Sequence, residues 1–162
     1  MKIDMRRLAS IEGLAISHGD HDSADEGTCA MELVAHLAGE PHSDRPQCTD
    51  PVIAEFVRTW NDSLPNDEER QRWLGPLLTE IVGTRDTTLS EPRSLMCLDW
   101  LVRVHAPAWM RLSPSLAAHA DALASLPELI DAETIKAARP AIDAARDAAR
   151  DAARDAARDA AR

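Results

Sequence analysis

Residues that could bind a metal ion or act in catalysis are concentrated between residues 18 and 50. This segment holds four of the six histidines, two of the three cysteines and eight of the 28 acidic residues, with Arg45 as its only base. Imidazole and thiolate are the ligands that zinc prefers, and imidazole with carboxylate suits iron or manganese. A functional site is therefore expected in this segment first.

The spacing of four of these side chains predicts that they share one side of a helix. At about 100° per residue they fall within an arc of about 80°, at the edge of the apolar face. They are Cys29, Glu32, His36 and Glu40. Gly39 allows a left-handed turn that brings the following loop back past the helix end. A carboxylate or imidazole at the edge of a core is partly desolvated, so it needs a partner.

The first hypothesis is a divalent metal site with zinc or another divalent ion as cofactor. Its expected ligands are Cys29, Glu32, His36, His42 and Cys48, with Glu40 and Asp44 as further candidates. The chain has no HExxH string and no Glu-x-x-His pair, the motifs of metalloproteases and di-iron bundles. The prediction therefore depends on the local concentration of ligand types.

The second hypothesis is an active site without a metal. One histidine would act as general base, oriented by a neighbouring carboxylate. The candidate catalytic residues are His36, Glu40, His42 and Asp44, with Ser43 or Cys48 as nucleophile. Nothing in the chain resembles a nucleophile elbow or a phosphate-binding loop.

The third hypothesis is structural. Residues 40–45 would form a hydrogen-bonded loop that fixes the second helix against the third, and the two cysteines would be small core residues. The string HGDHD at residues 18–22 resembles metallohydrolase motifs, but a histidine two residues before His18 is missing because Ile16 stands there. A solvated loop is the favoured interpretation of that string.

The rest of the chain predicts an all-α fold, a compact bundle of about six or seven helices with a C-terminal Ala-rich helix. Aromatic residues make up 3%, Tyr is absent and no segment alternates as a strand does. Asp50-Pro51 is a strong helix start, and Gly75-Pro76 should kink a later helix. Pro107 is expected to end the next one.

Residues 143–162 are five copies of Asp-Ala-Ala-Arg, so they form a neutral tail next to an acidic domain, residues 1–142. Alanine favours a helix, and each Asp meets the Arg three residues on. The pattern drifts about 40° per copy, which predicts no fixed apolar seam. Two interpretations stay open, a solvent-exposed helix and an oligomerisation or docking helix.

The charge balance narrows the partners. A formal net charge of −10 argues against nucleic acid and against an anionic membrane, and no apolar run reaches the length of a membrane span. An odd number of cysteines and no recognisable export signal predict a cytoplasmic protein. The expected partners are a basic protein, or a second copy bound through the C-terminal helix.

Three stretches resemble a group of uncharacterised proteins from actinobacteria and their phages, some of which have Ala-rich tails. The first runs from Cys29 to Cys48 and continues as PVIAEFVRTWND to Asp62. The others are VGTR at 82–85 and DWLVRVHAPAW at 99–109. The similarity covers roughly residues 25–142. The resemblance implies only a cytoplasmic origin and a single compact unit, because the group has no established activity.

Two functions are consistent with the sequence. The first is a small cytoplasmic helical protein with a divalent-metal or active site between Cys29 and Cys48, hydrolytic or regulatory in role. The alternative is a non-enzymatic interaction or oligomerisation module that binds a basic partner, since residues 18–50 carry a net charge of −7.

Overall fold

The chain folds entirely as helices. The computed structural model describes residues 3, 5–11 and 13–162; it is 66% helical and has no strand in that part of the chain. Seven continuous helical segments are present there, two of which are interrupted by a 3-10 or π turn and so receive two helix labels each; the last segment is a long C-terminal helix. The predicted all-α class is therefore confirmed. No helix within the described ranges combines the length and apolar character needed to cross a membrane.

The contacts divide the chain into two compact units, residues 1–90 and residues 91–162. The first unit contains α1 (Met5–Ser10), α2 (Ala30–Ala38), α3 (Pro51–Ser63), α4 (Asp67–Leu74) and α5 (Leu78–Ile81). The second contains α6 (Ser90–Trp100), which begins at the boundary, α7 (Ala106–Met110), α8 (Ala117–Ala124) and α9 (Ala132–Ala160). Met1, Lys2, Asp4 and Glu12 lie outside the described residues. The domain boundary predicted after residue 142 falls inside α9.

Helix α2 is the centre of the first unit. It packs against α1, α3 and α5, and all its residues from Ala30 to Ala35 are buried. The core around it is aliphatic: Ile16, Met31, Leu33, Val34, Leu37, Leu74, Leu78 and Ile81. Because α2 is enclosed on nearly all sides, the loops at its two ends are brought close to the core.

The helices beside α2 begin where their capping residues predict. The Asp50 carboxylate accepts a hydrogen bond from the Val52 amide at 3.0 Å, with Pro51 at the first helical position. The buried Arg70 guanidinium donates to the carbonyls of Asn61 and Leu64, at 2.8 and 2.6 Å. It thereby holds the end of α3 against α4. The predicted distortion at Gly75-Pro76 is present as a 3-10 turn, Gly75–Leu77.

In the second unit, the prediction that Pro107 ends a helix is wrong. The helix continues through a π turn, Leu101–His105, into α7. Pro107 has no N–H, and its ring would collide with a carbonyl four residues back in a regular helix. The wide turn, in which the Ala106 amide donates to the Leu101 carbonyl, accommodates the proline without breaking the segment.

Helix α9 contains most of the repeat tail and packs against α8. Each Asp of the tail lies 3.2 to 3.8 Å from the Arg three residues on, as predicted. An apolar seam along it repeats every seven residues: Ala138, Ala145 and Ala152, flanked by the pairs Ala141 with Ile142 and Ala148 with Ala149. The prediction of no fixed seam is wrong up to residue 152. Each four-residue repeat has two adjacent alanines. A seven-residue spacing therefore connects the second alanine of one copy to the first alanine of the copy after next.

This seam predicts that glutamate substitutions at two neighbouring alanines of one repeat have different effects on stability. Ala145 is 4% exposed in the core of the second unit, whereas Ala144 is exposed. We expect Ala145→Glu to lower the free energy of unfolding by about 2–4 kcal/mol, because a carboxylate is buried without a partner. The matched Ala144→Glu should change it by less than about 0.5 kcal/mol. Urea denaturation monitored by circular dichroism measures both. Equal losses of unfolding free energy in the two variants would contradict the burial of Ala145 in an apolar seam.

Candidate functional site

The centre of the predicted segment is the carboxylate of Glu32, which is 1% exposed. It accepts hydrogen bonds from the amides of Cys29 and His21, both at 2.7 Å. It also accepts one from the Nδ1 atom of the His21 ring at 2.9 Å. Three donors on one carboxylate satisfy a buried charge that would otherwise be very costly.

The local sequence explains why Glu32 lies there. Cys29 is the N-cap of α2 and Glu32 is the third helical residue, the position from which a glutamate reaches back to the cap amide. The carboxylate also lies at the positive end of the helix dipole. Burial alone would raise the pKa of Glu32, but the hydrogen bonds from Cys29 and His21 outweigh burial and lower that pKa below its usual 4.5.

His42 joins the following loop to the same centre. Its Nε2 atom donates to the His21 carbonyl at 3.0 Å and lies 3.6 Å from a Glu32 oxygen. We name His21, Glu32 and His42 the Glu32 cluster. It connects the loop before α2 to the loop after it, and so fixes both loops relative to the helix.

Sequence reasoning missed His21. The HGDHD string was expected to be a solvated loop, but the His21 side chain is only 13% exposed. The glycine at position 27 was one available signal in the sequence. In the structure Gly27 has a φ of +144°. A Cβ atom there would lie 2.6 Å from Nε2 of His21. The position therefore suits glycine for two reasons, backbone conformation and the space that the imidazole occupies.

His36 does not join this cluster. It is exposed, and its Nε2 atom lies 2.8 Å from the Ser10 hydroxyl, while its carbonyl accepts from Arg7 at 3.0 Å. The prediction that four side chains share one arc of the helix is wrong for the first and the last of them. Cys29 precedes the helix as its cap, and Glu40 follows the left-handed residue Gly39. The helical spacing therefore relates only Glu32 and His36, and these two have different partners.

The two cysteines of the segment are buried. Burial raises the pKa of the Cys29 thiol to about 12, with the nearby negative charge of Glu32 adding to the effect. The Cys48 Sγ atom lies 3.6 Å from the Thr49 hydroxyl. Because the thiolate is the nucleophile, a thiol that stays protonated at neutral pH does not suit Cys29 for nucleophilic catalysis.

The remaining candidates hold the loop after α2 in shape. The Glu40 carboxylate accepts from the Gln47 amide, and the Ser43 hydroxyl accepts from the Arg45 amide at 3.0 Å. The Arg58 guanidinium of α3 donates to the Asp44 carbonyl at 3.2 Å and lies 3.6 Å from its carboxylate. This is the arrangement that the structural hypothesis predicts, a loop fixed between α2 and α3.

A cavity of about 190 Å³ lies where the loops on either side of α2 meet α3. Its polar lining is mostly carboxylate: Asp20, Asp44, Glu55 and Asp62, with Arg58 as the one base. Cys29, Met31 and Asn61 line it as well. We name this space the acidic cavity. Although burial would raise the pKa of Asp62, hydrogen bonds from Asn61 and Gly19 keep that pKa below its usual value.

The predicted ligands do not assemble into a metal centre. In the part of the chain that the structure describes, no three His, Cys, Asp or Glu side chains are grouped so that they could hold one metal ion. No family model, curated protein or solved structure matches the chain. Zinc binding, a catalytic role and the resemblance to the actinobacterial group therefore stay predictions.

The Glu32 cluster gives a testable stability effect. We expect Glu32→Gln to lower the free energy of unfolding by about 2 kcal/mol, because an amide nitrogen cannot accept from the backbone donors. Since the pKa of Glu32 is lowered in the folded state, the wild-type advantage is complete above pH 4.5 and is lost as the pH falls through the folded value. Urea denaturation from pH 7 to pH 3 measures this. The control is Glu26→Gln, which changes an exposed carboxylate on the loop before α2.

The cysteines should differ in reactivity. We expect Cys29 and Cys48 to resist iodoacetamide in the native protein at pH 8, because both are buried and Cys29 stays protonated. Cys97 is only partly buried and should react first. Mass spectrometry of peptides after timed labelling gives the order, with urea-unfolded protein as the control. Rapid labelling of Cys29 would restore it as a candidate nucleophile.

Proposed function

We propose that the first unit is a non-enzymatic docking module that binds a basic segment of a partner protein. The observation that supports this most directly is the acidic cavity. Its four carboxylates come from the loop before α2, the loop after it and α3, and they outnumber the single base, Arg58. Arg58 already lies beside Asp44 and Glu55, so the lining keeps an excess of negative charge.

The charge of the whole unit supports the same conclusion. Residues 1–90 contain 17 acidic and eight basic residues, a formal charge of −9, whereas residues 91–162 contain 11 and ten, a charge of −1. Four exposed acids follow one another on the loop before α2: Asp20, Asp22, Asp25 and Glu26. Such a field draws a cationic partner toward the surface and speeds association.

The size of the cavity indicates the chemistry of the bound group. A volume of about 190 Å³ lies below the roughly 300–1,000 Å³ of typical small-molecule sites. It suits the end of one arginine or lysine side chain, with its methylene groups against Met31 and its charge among the carboxylates. The adjacent acidic loop would then contact the residues that flank this anchor.

The groups expected to do chemistry are occupied in ways that favour binding over catalysis. Glu32 accepts three hydrogen bonds, and His42 donates to a backbone carbonyl. Their shared effect is to hold the carboxylates of two loops in place. The metal hypothesis would require His36 to leave Ser10 and turn toward Glu32, a rearrangement that nothing in the described structure favours.

The test is binding of a short fluorescent arginine-rich peptide to the full chain. We expect Asp20→Lys to weaken binding about tenfold, because it reverses a charge on the cavity lining. Asp25→Lys makes the same charge change on the same loop away from the cavity, and should weaken binding less than about threefold. Fluorescence anisotropy measures both dissociation constants.

Two results would contradict the proposal. One is equal weakening by Asp20→Lys and Asp25→Lys, which would show attraction to net charge without a site. The other is affinity that does not fall as salt is added, since screening must weaken an interaction between exposed charges. Elemental analysis of protein made without a histidine tag tests the metal hypothesis independently.

A further inference from the structure

The helical segment from Ser90 to Met110 exposes several large apolar side chains and turns two charged ones, Asp99 and Arg103, inward. The Asp99 and Arg103 side chains are 17% and 29% exposed and lie 2.8 Å apart. By contrast Met96 is 70% exposed and Val104 52%. A surface helix ordinarily shows the reverse pattern, with its polar residues toward water.

Hydrogen bonds within the second unit explain the inward charges. The Asp99 carboxylate accepts from the Leu129 amide at 2.9 Å, and Arg103 donates to the Leu126 carbonyl at 2.9 Å. These bonds attach the segment to the chain between α8 and α9.

The exposed residues form one continuous face. Positions 96, 100, 104, 108 and 112 are all exposed and are four residues apart. The wide π turn Leu101–His105 offsets the drift that a four-residue spacing accumulates along an α-helix. We name as the apolar face six residues: Met96, Trp100, Leu101, Val104, Trp109 and Leu112.

The solvent-exposed area of the apolar face is as large as that of a protein–protein interface. Leu112 is 81% exposed and Trp109 58%, and the six side chains together leave on the order of 700 Å² in water, above the largest patch of a typical monomer. Two such faces together would bury about 1,400 Å², within the range of specific protein complexes.

We infer that the apolar face binds the same face of a second copy of this chain. An isologous contact needs a surface that complements itself, and none of the six residues of this face carries a charge that would repel its own copy. The second unit that carries it has a net charge of only −1. The two tryptophans and Leu112 supply large apolar anchors of the kind that dominate binding energy.

The experiment is light scattering with size-exclusion chromatography on the full chain over a wide concentration range. We expect the molar mass to rise from 17.7 kDa toward about twice that value. Val104→Glu should raise the dimer dissociation constant at least about tenfold, since two carboxylates would face each other across the contact. Ala153→Glu adds the same charge at an exposed tail position and should leave the constant within about twofold.

The alternatives give different results. Wild-type protein that stays at monomer mass at every concentration overturns the inference, as does a dimer that survives Val104→Glu. A dimer lost on deletion of residues 153–162, with Val104→Glu harmless, would assign association to the tail. Urea denaturation checks that Val104→Glu is folded. Added salt should preserve this dimer, whereas it should weaken binding of a basic peptide, so the two proposals can fail separately.

Discussion

The first unit depends on one constraint, a carboxylate buried at the N-terminus of its central helix. Glu32 cannot remain charged there unless donors surround it, because an isolated ion in the protein interior is very unfavourable. The chain provides these donors from the cap residue Cys29 and from His21 in the preceding loop. Satisfying one charge therefore determines the conformation of the loop before the helix.

The same constraint extends to the loop after the helix. His42 contacts both the carbonyl of His21 and the carboxylate of Glu32, so the second loop is attached to the first. Asp44 then pairs with Arg58 on α3. The acidic cavity is bounded by these elements, and the contacts of Glu32 with His21 and His42 fix the two loops that carry Asp20 and Asp44.

The sequence predicted the elements better than the contacts of their side chains. Caps such as Asp50 act within a few residues, so the start of α3 could be derived from local rules. The partner of Glu32 could not, because His21 is brought to it by a loop whose path depends on tertiary packing. The heptad seam in the tail was likewise hidden, since it appears only when α9 packs against α8.

The two units solve the problem of a small helical core in different ways. The first buries an almost wholly apolar helix and leaves an excess of acidic residues on its surface. The second pairs Asp99 with Arg103 in partly buried positions and leaves Met96, Trp109 and Leu112 largely in water. Water penalises exposed apolar area, so the second unit gains free energy by covering its apolar face. A cation attracted by the acidic surface and a copy that covers the apolar face would therefore respond to salt in opposite directions.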